Sequence, residues 1–273
     1  VYDMLGNRVH QPSMEAGERW MLNDVAGKSI RAWDSRDHQF RSVYDPLRRP
    51  KESYLLEGGT AEMLVERTIY GETQTNPEAK NLRGKVYQLY DQAGIVTNEE
   101  YDFKGNLLHS RRQLAAEYKK TLNWPTTITP ELLEAETFTS STIFDALNRP
   151  IQVVAPHSSN AGTKLNVIQP AYNDANMLEN MDVWLGRDEE PAGLLEPATA
   201  IQHAVKNIDY NAKGQRLFIE YGSGADGNTK GVNTSYEYDP LTFRLTHLKT
   251  LRGPDHLQDL FYTYDPSGNI TTI

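Results

Sequence analysis

Cysteine is absent from the 273 residues. That excludes disulfides, thiolate metal sites and a cysteine nucleophile. It also points to a bacterial rather than an extracellular animal source, where a chain of this size usually carries disulfides. No apolar stretch approaches the ~20 residues that span a membrane as a helix, and no signal-peptide pattern is present. Positive charge is scarce. Lys and Arg number 28 against 37 Asp and Glu, a net charge of -9. A nucleic-acid binder shows a basic face, and docking to an anionic membrane needs one too; neither is expected. Hydrophobic residues make up only 38%, low for a globule with one large core, whereas tyrosine occurs 15 times. Many tyrosines with few aliphatic runs suit sheets with one wet face. The length allows one large domain or two, but repeats remove length as a guide.

A short repeat dominates what is present. Tyr101-Asp102-Phe103-Lys104-Gly105-Asn106-Leu107-Leu108 reads as strand, tight turn, strand. Asp102 can hydrogen-bond the backbone two residues on, and Gly105 and Asn106 tolerate the positive φ of a hairpin turn. Aromatic-Asp pairs recur at Tyr2-Asp3 (with Gly6), Trp33-Asp34, Tyr44-Asp45, Tyr90-Asp91, Phe144-Asp145, Tyr238-Asp239 and Tyr264-Asp265 (with Gly268). Looser copies stand at Tyr172-Asn173 and Tyr210-Asn211, the latter with Gly214. Asp45-Pro46-Leu47-Arg48 has the residues of a type I turn. The pairs at 90 and 101 have the spacing of consecutive strands in a meander.

Two segments interrupt the pattern, 111–142 and 187–203. Residues 112–121 and 130–137 are expected as short helices, the second with Pro130 in its first turn and Glu131 and Glu134 where the macrodipole favours acids. Residues 187–203, acidic with Pro191 and Pro197, are expected as a surface insertion. Repeats resume to residue 273. Tyr236 and Tyr238, and Tyr262 and Tyr264, alternate and so share a sheet face. Both chain ends fall inside copies of the repeat, which suggests a piece of a longer polypeptide. The fold class expected is mainly β: antiparallel hairpin repeats over 1–273, with a few short helices.

One active site does not need eight copies of an aspartate, so the repeated Asp residues read as turn formers. The histidines at 10, 38, 109, 157, 203, 247 and 256 show no metal-ligand spacing. No phosphate loop, dinucleotide fingerprint or nucleophile elbow occurs. Residues 222–228 mimic a calcium loop but lack the later acidic ligand. Asp265-Pro266-Ser267-Gly268 has the look of an aspartate autoproteolytic site, but the flanking Tyr264 and Asn269 fit a repeat turn. No cofactor, metal or catalytic residue is expected, and the chain is read as no enzyme.

The repeats resemble the YD repeats of the Rhs family. The carriers are Tyr-Asp-x-x-Gly-Asn at 101–106, its counterpart Tyr264-Asp265-Pro266-Ser267-Gly268-Asn269, and the variants at 44–50 and 144–150. Residues 82–91, 101–110, 138–156 and 204–221 further resemble the Rhs-repeat shell components of bacterial insecticidal toxin complexes. The resemblance implies a sheet wound as a spiral into a hollow shell that sequesters a C-terminal toxin until delivery. The partners it implies are the remainder of the parent shell, the enclosed toxin and other toxin-complex subunits. Its implied location is secreted or cell-surface, within a larger bacterial protein. Self-association through open sheet edges is a further expectation. The competing reading is a carbohydrate-binding module, with Tyr236, Tyr238, Tyr262 and Tyr264 exposed to stack on sugar rings.

Overall fold

The computed structural model describes residues 1–222 and 231–273. They form two compact units, one of Val1–Thr139 with Ser158–Asn160, the other of Ser140–His157 with Ala161–Ile273. The first holds β1 (His10–Ser13), β2 (Gly17–Asn23), β3 (Ser29–Asp34), β4 (His38–Tyr44), β5 (Pro50–Glu57), β6 (Met63–Tyr70), β7 (Val86–Asp91), β8 (Gly94–Tyr101), β9 (Leu107–Ala115) and the start of β10 (Leu133–Phe144). The second holds the end of β10 and β11 (Pro150–Ser158), β12 (Leu165–Tyr172), β13 (Leu178–Arg187), β14 (Gln202–Tyr210), β15 (Arg216–Tyr221), β16 (Val232–Tyr238), β17 (Leu245–Arg252), β18 (Asp255–Phe261), β19 (Thr263–Tyr264) and β20 (Ile270–Thr272). From β1 to β9, and again from β11 to β18, each strand pairs antiparallel with the next in the chain. β19 and β20 make a separate two-stranded ribbon. The mainly β, antiparallel hairpin-repeat fold read from the sequence is the fold observed.

In a meander, alternate connections fall at the same end of the sheet. In the first unit the connections at 24–28, 45–49, 71–85 and 102–106 share one end; those at 14–16, 35–37, 58–62, 92–93 and 116–132 share the other. Tyr90-Asp91 and Tyr101-Asp102 therefore sit at opposite ends, and only the second is a repeat turn of the expected kind.

Each unit has a small core on one sheet face, closed by a long strap. In the first unit Leu64, Tyr90, Ile95 and Ala115 pack with Leu122 and Trp124, which come from the strap 116–132. Trp124 is 4% exposed and meets Tyr90 edge-on at 5.4 Å. In the second unit Val154, Leu165, Val167 and Trp184 are covered by Leu195 and Ala200 of the strap 188–201. The segment expected as a surface insertion at 187–203 is exposed over most of 188–201, yet Leu195 and Ala200 pack on the core, and Arg187, Gln202 and His203 belong to the flanking strands. One apolar face per sheet, and that face only partly covered, accounts for a hydrophobic content of 38%.

The helices expected at 112–121 and 130–137 do not form. Residues up to Ala115 extend β9, with Arg111, Arg112, Gln113 and Leu114 opposite Thr97, Val96, Ile95 and Gly94. Residues from Leu133 onward extend β10, and only Pro130–Leu132 turns, as one 3-10 turn. Ladder pairing outweighs weak helix propensity, and the β-branched Thr137 and Thr139 favour the extended form. The other short helical turns are Gly71–Thr73 and Pro197–Thr199.

Candidate functional site

The candidate residues read from the sequence gather on a repeat turn whose geometry recurs along the chain. At Asp102 the backbone N–H of Gly105 donates to Asp102 O at 3.0 Å, and Asp102 N–H donates to Asn106 O at 2.9 Å. Gly105 has φ +92°. This is a type I turn closed by one residue in the left-handed region, which adds a bulge to the hairpin. The carboxylate organises it from inside. Asp102 Oδ1 accepts from the N–H groups of Lys104 and Asn106, and Oδ2 accepts from Asn106 Nδ2 at 2.7 Å.

The same bonds recur at Asp3 (from Leu5 and Asn7), Asp145 (from Leu147 and Arg149), Asn173 (from Ala175 and Met177) and Asn211 (from Lys213 and Gln215). Asp45 and Asp265 accept from the N–H of the fourth residue on, Arg49 and Asn269. Asp239 closes a loop one residue longer, with Phe243 donating to its carbonyl. Gly6, Gly214 and Gly268 fill the left-handed position, but so do Arg48 (φ +62°) and Asn148 (φ +64°). Asn106, expected to share the positive φ, is not left-handed; it spends its amide on Asp102 instead.

The carboxyls titrate accordingly. At Asp265 the Asn269 side chain, then its N–H, hold the group below the ordinary 3.8. At Asp102 loss of water pushes the other way, and the hydrogen bonds from Asn106 and the turn N–H groups outweigh it.

The tyrosines have a different task. Among the described residues seven of them donate their hydroxyl to the backbone carbonyl that starts the return strand of the preceding hairpin. Tyr44 reaches Ser29 O at 2.7 Å, Tyr70 reaches Pro50 O at 2.9 Å and Tyr101 reaches Val86 O at 2.7 Å. In the second unit Tyr172 reaches Pro150 O, Tyr210 reaches Leu178 O, Tyr238 reaches Arg216 O and Tyr264 reaches Leu245 O, at 2.7–3.0 Å. The residue just before the accepting carbonyl is often a cation lying over the same ring. Arg49 sits 3.7 Å from the Tyr70 centroid, Arg149 4.5 Å from Tyr172, Lys28 5.2 Å from Tyr44, Arg244 5.5 Å from Tyr264 and Lys85 5.8 Å from Tyr101. Tyr44, Tyr70, Tyr101, Tyr172 and Tyr264 therefore grip the preceding hairpin by ring and by hydroxyl, and Tyr210 and Tyr238 by hydroxyl.

Other expected positions depart from this scheme. Tyr90 is a core residue, and its neighbour Asp91 binds the Arg112 guanidinium through both oxygens at 2.9 and 2.6 Å. Tyr2 faces Arg8 across an isolated bridge. Phe144 occupies a tyrosine position but has no hydroxyl to donate, and the division between the two compact units falls five residues earlier. Tyr236, Tyr238, Tyr262 and Tyr264 are half-buried, not exposed as expected. The hydroxyls of Tyr238 and Tyr264 are already committed to backbone. The calcium-like stretch at 223–228 lies outside the described residues. Asp265 forms a repeat turn with Asn269, as the flanking residues imply.

Sequence reading missed two elements. Asn23-Asp24 lacks an aromatic, yet Asp24 organises a full repeat turn, accepting from Ala26 and Lys28; its signal was the Asp-x-x-Gly spacing to Gly27. It also missed Gln92 and Gln169, which hold the straps. Gln92 Oε1 accepts from Leu122 N–H at 2.7 Å while its Nε2 donates to Leu122 O and Val65 O. Gln169 treats Leu195 in the same way, at 2.7 and 3.0 Å. Among the described residues no group of three or more His, Asp and Glu side chains is placed to hold a metal ion, and no helix is long and apolar enough to cross a membrane.

No protein-family model matches the sequence. Curated relatives do. Toxin subunit YenC2 of Yersinia entomophaga is 27% identical over 299 residues, covering 99% of this chain and 28% of the relative. Toxin subunit YenC1 of the same organism is 28% identical over 281 residues, covering 98% of this chain and 26% of the relative. The chain thus spans about a quarter of the length of these relatives. Among solved structures, TcdB2-TccC3 superposes with a TM-score of 0.78 at 26% identity, over 98% of this chain and 12% of that one. A Photorhabdus luminescens Tc holotoxin pore gives a TM-score of 0.79 at 27% identity over the same shares. In sequence along nearly its whole length, and in fold, the chain matches the Rhs-repeat shell of insecticidal toxin complexes.

Proposed function

We propose that the chain is a structural part of an Rhs shell that sequesters a C-terminal toxin until delivery, exported within a larger bacterial protein. Its role is a scaffold's, not an enzyme's. The observation that carries this reading is the repeat-to-repeat staple: the Asp and Tyr residues that a catalytic reading would claim are spent on turns and on the preceding hairpin. A wall of such hairpins satisfies its own backbone groups from repeat to repeat and needs no thick core. The relatives' designation as toxin subunits supports the choice of cargo.

The test uses the longer polypeptide, with a protease-sensitive reporter as its C-terminal segment. In the intact protein trypsin leaves the reporter whole. With Tyr172→Phe, Tyr210→Phe and Tyr238→Phe combined, the reporter is cleaved. A reporter cut as fast in the intact protein as on its own overturns the reading. The carbohydrate-binding alternative has no observation in its favour, since the tyrosines proposed for it are half-buried.

A further inference from the structure

A groove of about 680 Å³ opens beside the strap of the second unit. Its volume is that of a small-ligand or short-peptide site. Ile151, Tyr172, Leu194 and Val205 supply apolar walls. The floor carries Asp182 on β13, only 8% exposed. Asp182 Oδ1 meets His203 Nδ1 at 2.5 Å. Its other oxygen, Oδ2, has no partner among the described residues. A carboxylate oxygen that stays open to the groove on a side chain this little exposed favours a cation that reaches it.

Two positive side chains line the same groove, Arg149 and Lys206. Neither is available to Asp182. Arg149 is held by Asp145 and Asn176, and Lys206 by Glu220 at 3.3 Å. Among the described residues the Asp182 carboxylate at the floor therefore meets only the His203 imidazole, through Oδ1. Asn180, two residues before Asp182 on the same strand face, also lines the groove, and its amide has no partner among the described residues. The strap shows how such an amide is used on this face. Gln169 reads both the N–H and the C=O of Leu195 with one side chain while the leucine packs on the core.

We infer that this groove binds an extended peptide segment carrying a lysine or arginine flanked by apolar residues. The basic head reaches Asp182 Oδ2, the neighbouring backbone meets the Asn180 amide, and the flanking side chains cover Ile151, Tyr172 and Val205. The inference stands independently of the shell reading, because it concerns a site complete within the second unit.

The experiment is fluorescence anisotropy with a fluorescein-labelled heptapeptide, Ala-Leu-Ala-Lys-Leu-Ala-Ala, titrated with the 273-residue chain. Two comparison peptides carry norleucine or glutamate in place of lysine. The lysine peptide is expected to bind about tenfold more tightly than the norleucine peptide, and the glutamate peptide not at all. Asp182→Asn, which keeps an acceptor for His203, is expected to abolish the preference for lysine. Leu194→Lys changes a side chain that is 57% exposed, so it leaves the fold intact. It tethers a competing cation at the groove wall and weakens the lysine peptide by a similar factor. Equal affinity for lysine and norleucine, an undiminished preference in Asp182→Asn, indifference to Leu194→Lys, or no binding up to millimolar chain each overturn the proposal.

Discussion

At the scale of the residue, the tyrosine hydroxyl is the part of the repeat with the most specific task. Tyr210 spans 32 positions to reach Leu178 O. Removing one such hydrogen bond leaves a carbonyl without its donor, at a cost of about 1 kcal/mol. Tyr210→Phe is expected to lose that amount in urea denaturation, whereas Tyr118→Phe, at a side chain 79% exposed in the strap, is expected to lose nothing. The aspartates act on a different axis. Asp3, Asp24, Asp45, Asp102, Asp145, Asp239 and Asp265 all have carboxyls held below their ordinary 3.8 in the folded chain. A depressed folded value stabilises the fold above the unfolded value, and that contribution is lost as pH falls through the folded values. Melting temperature is therefore expected to hold between pH 7 and about 4.5, then drop steeply below about 3.8. A melting temperature unchanged at pH 2.5 would count against the turn carboxylates as stabilisers.

At the scale of the element, hairpins and straps were unequally legible. Asp-x-x-Gly beside an aromatic names a turn because the carboxylate, the left-handed residue and the return strand are all local. The tyrosine's acceptor is not. It lies 15 to 32 residues back, a separation set by intervening loops of no fixed length. The cation before that acceptor is hidden for the same reason. Counting every aromatic-Asp pair as one repeat type failed at Tyr90-Asp91, because a meander sends successive turns to opposite ends and only one end carries the staple. The straps were misread because their helical or acidic appearance is a local property, while their role depends on a distant glutamine. That role gives a prediction. Gln169→Leu removes both bonds to Leu195, so limited proteolysis is expected to cut within 188–201 in the variant and to leave the wild type intact. Equal cleavage in both would show that Leu195 and Ala200 hold the strap by packing alone.

At the scale of the whole molecule, stability is distributed. The cores are small, with Trp184, Val154 and Val167 the largest side chains at full burial. A repeat array of this kind is a sum of units and their nearest-neighbour bonds. Six of the seven residues of β18 are exposed or at the margin of exposure, including Leu257 and Phe261. Among the described residues its register is with β17, and a strand edge without a second partner templates pairing with another chain. The chain alone is expected to associate with concentration in sedimentation velocity; one monomeric species at the highest concentration reached would remove that expectation.

The direction of the tyrosine bond has a consequence for synthesis. Each hydroxyl reaches back to a hairpin made earlier, never forward to one still to come. In order of synthesis, a hairpin whose carbonyl accepts such a bond gains it only after the later tyrosine has been made, and the hairpin before Phe144 gains none. Order of translation and order of fastening run the same way. A pause in elongation would leave the newest such hairpin without its tyrosine bond while the stapled hairpins before it already hold theirs.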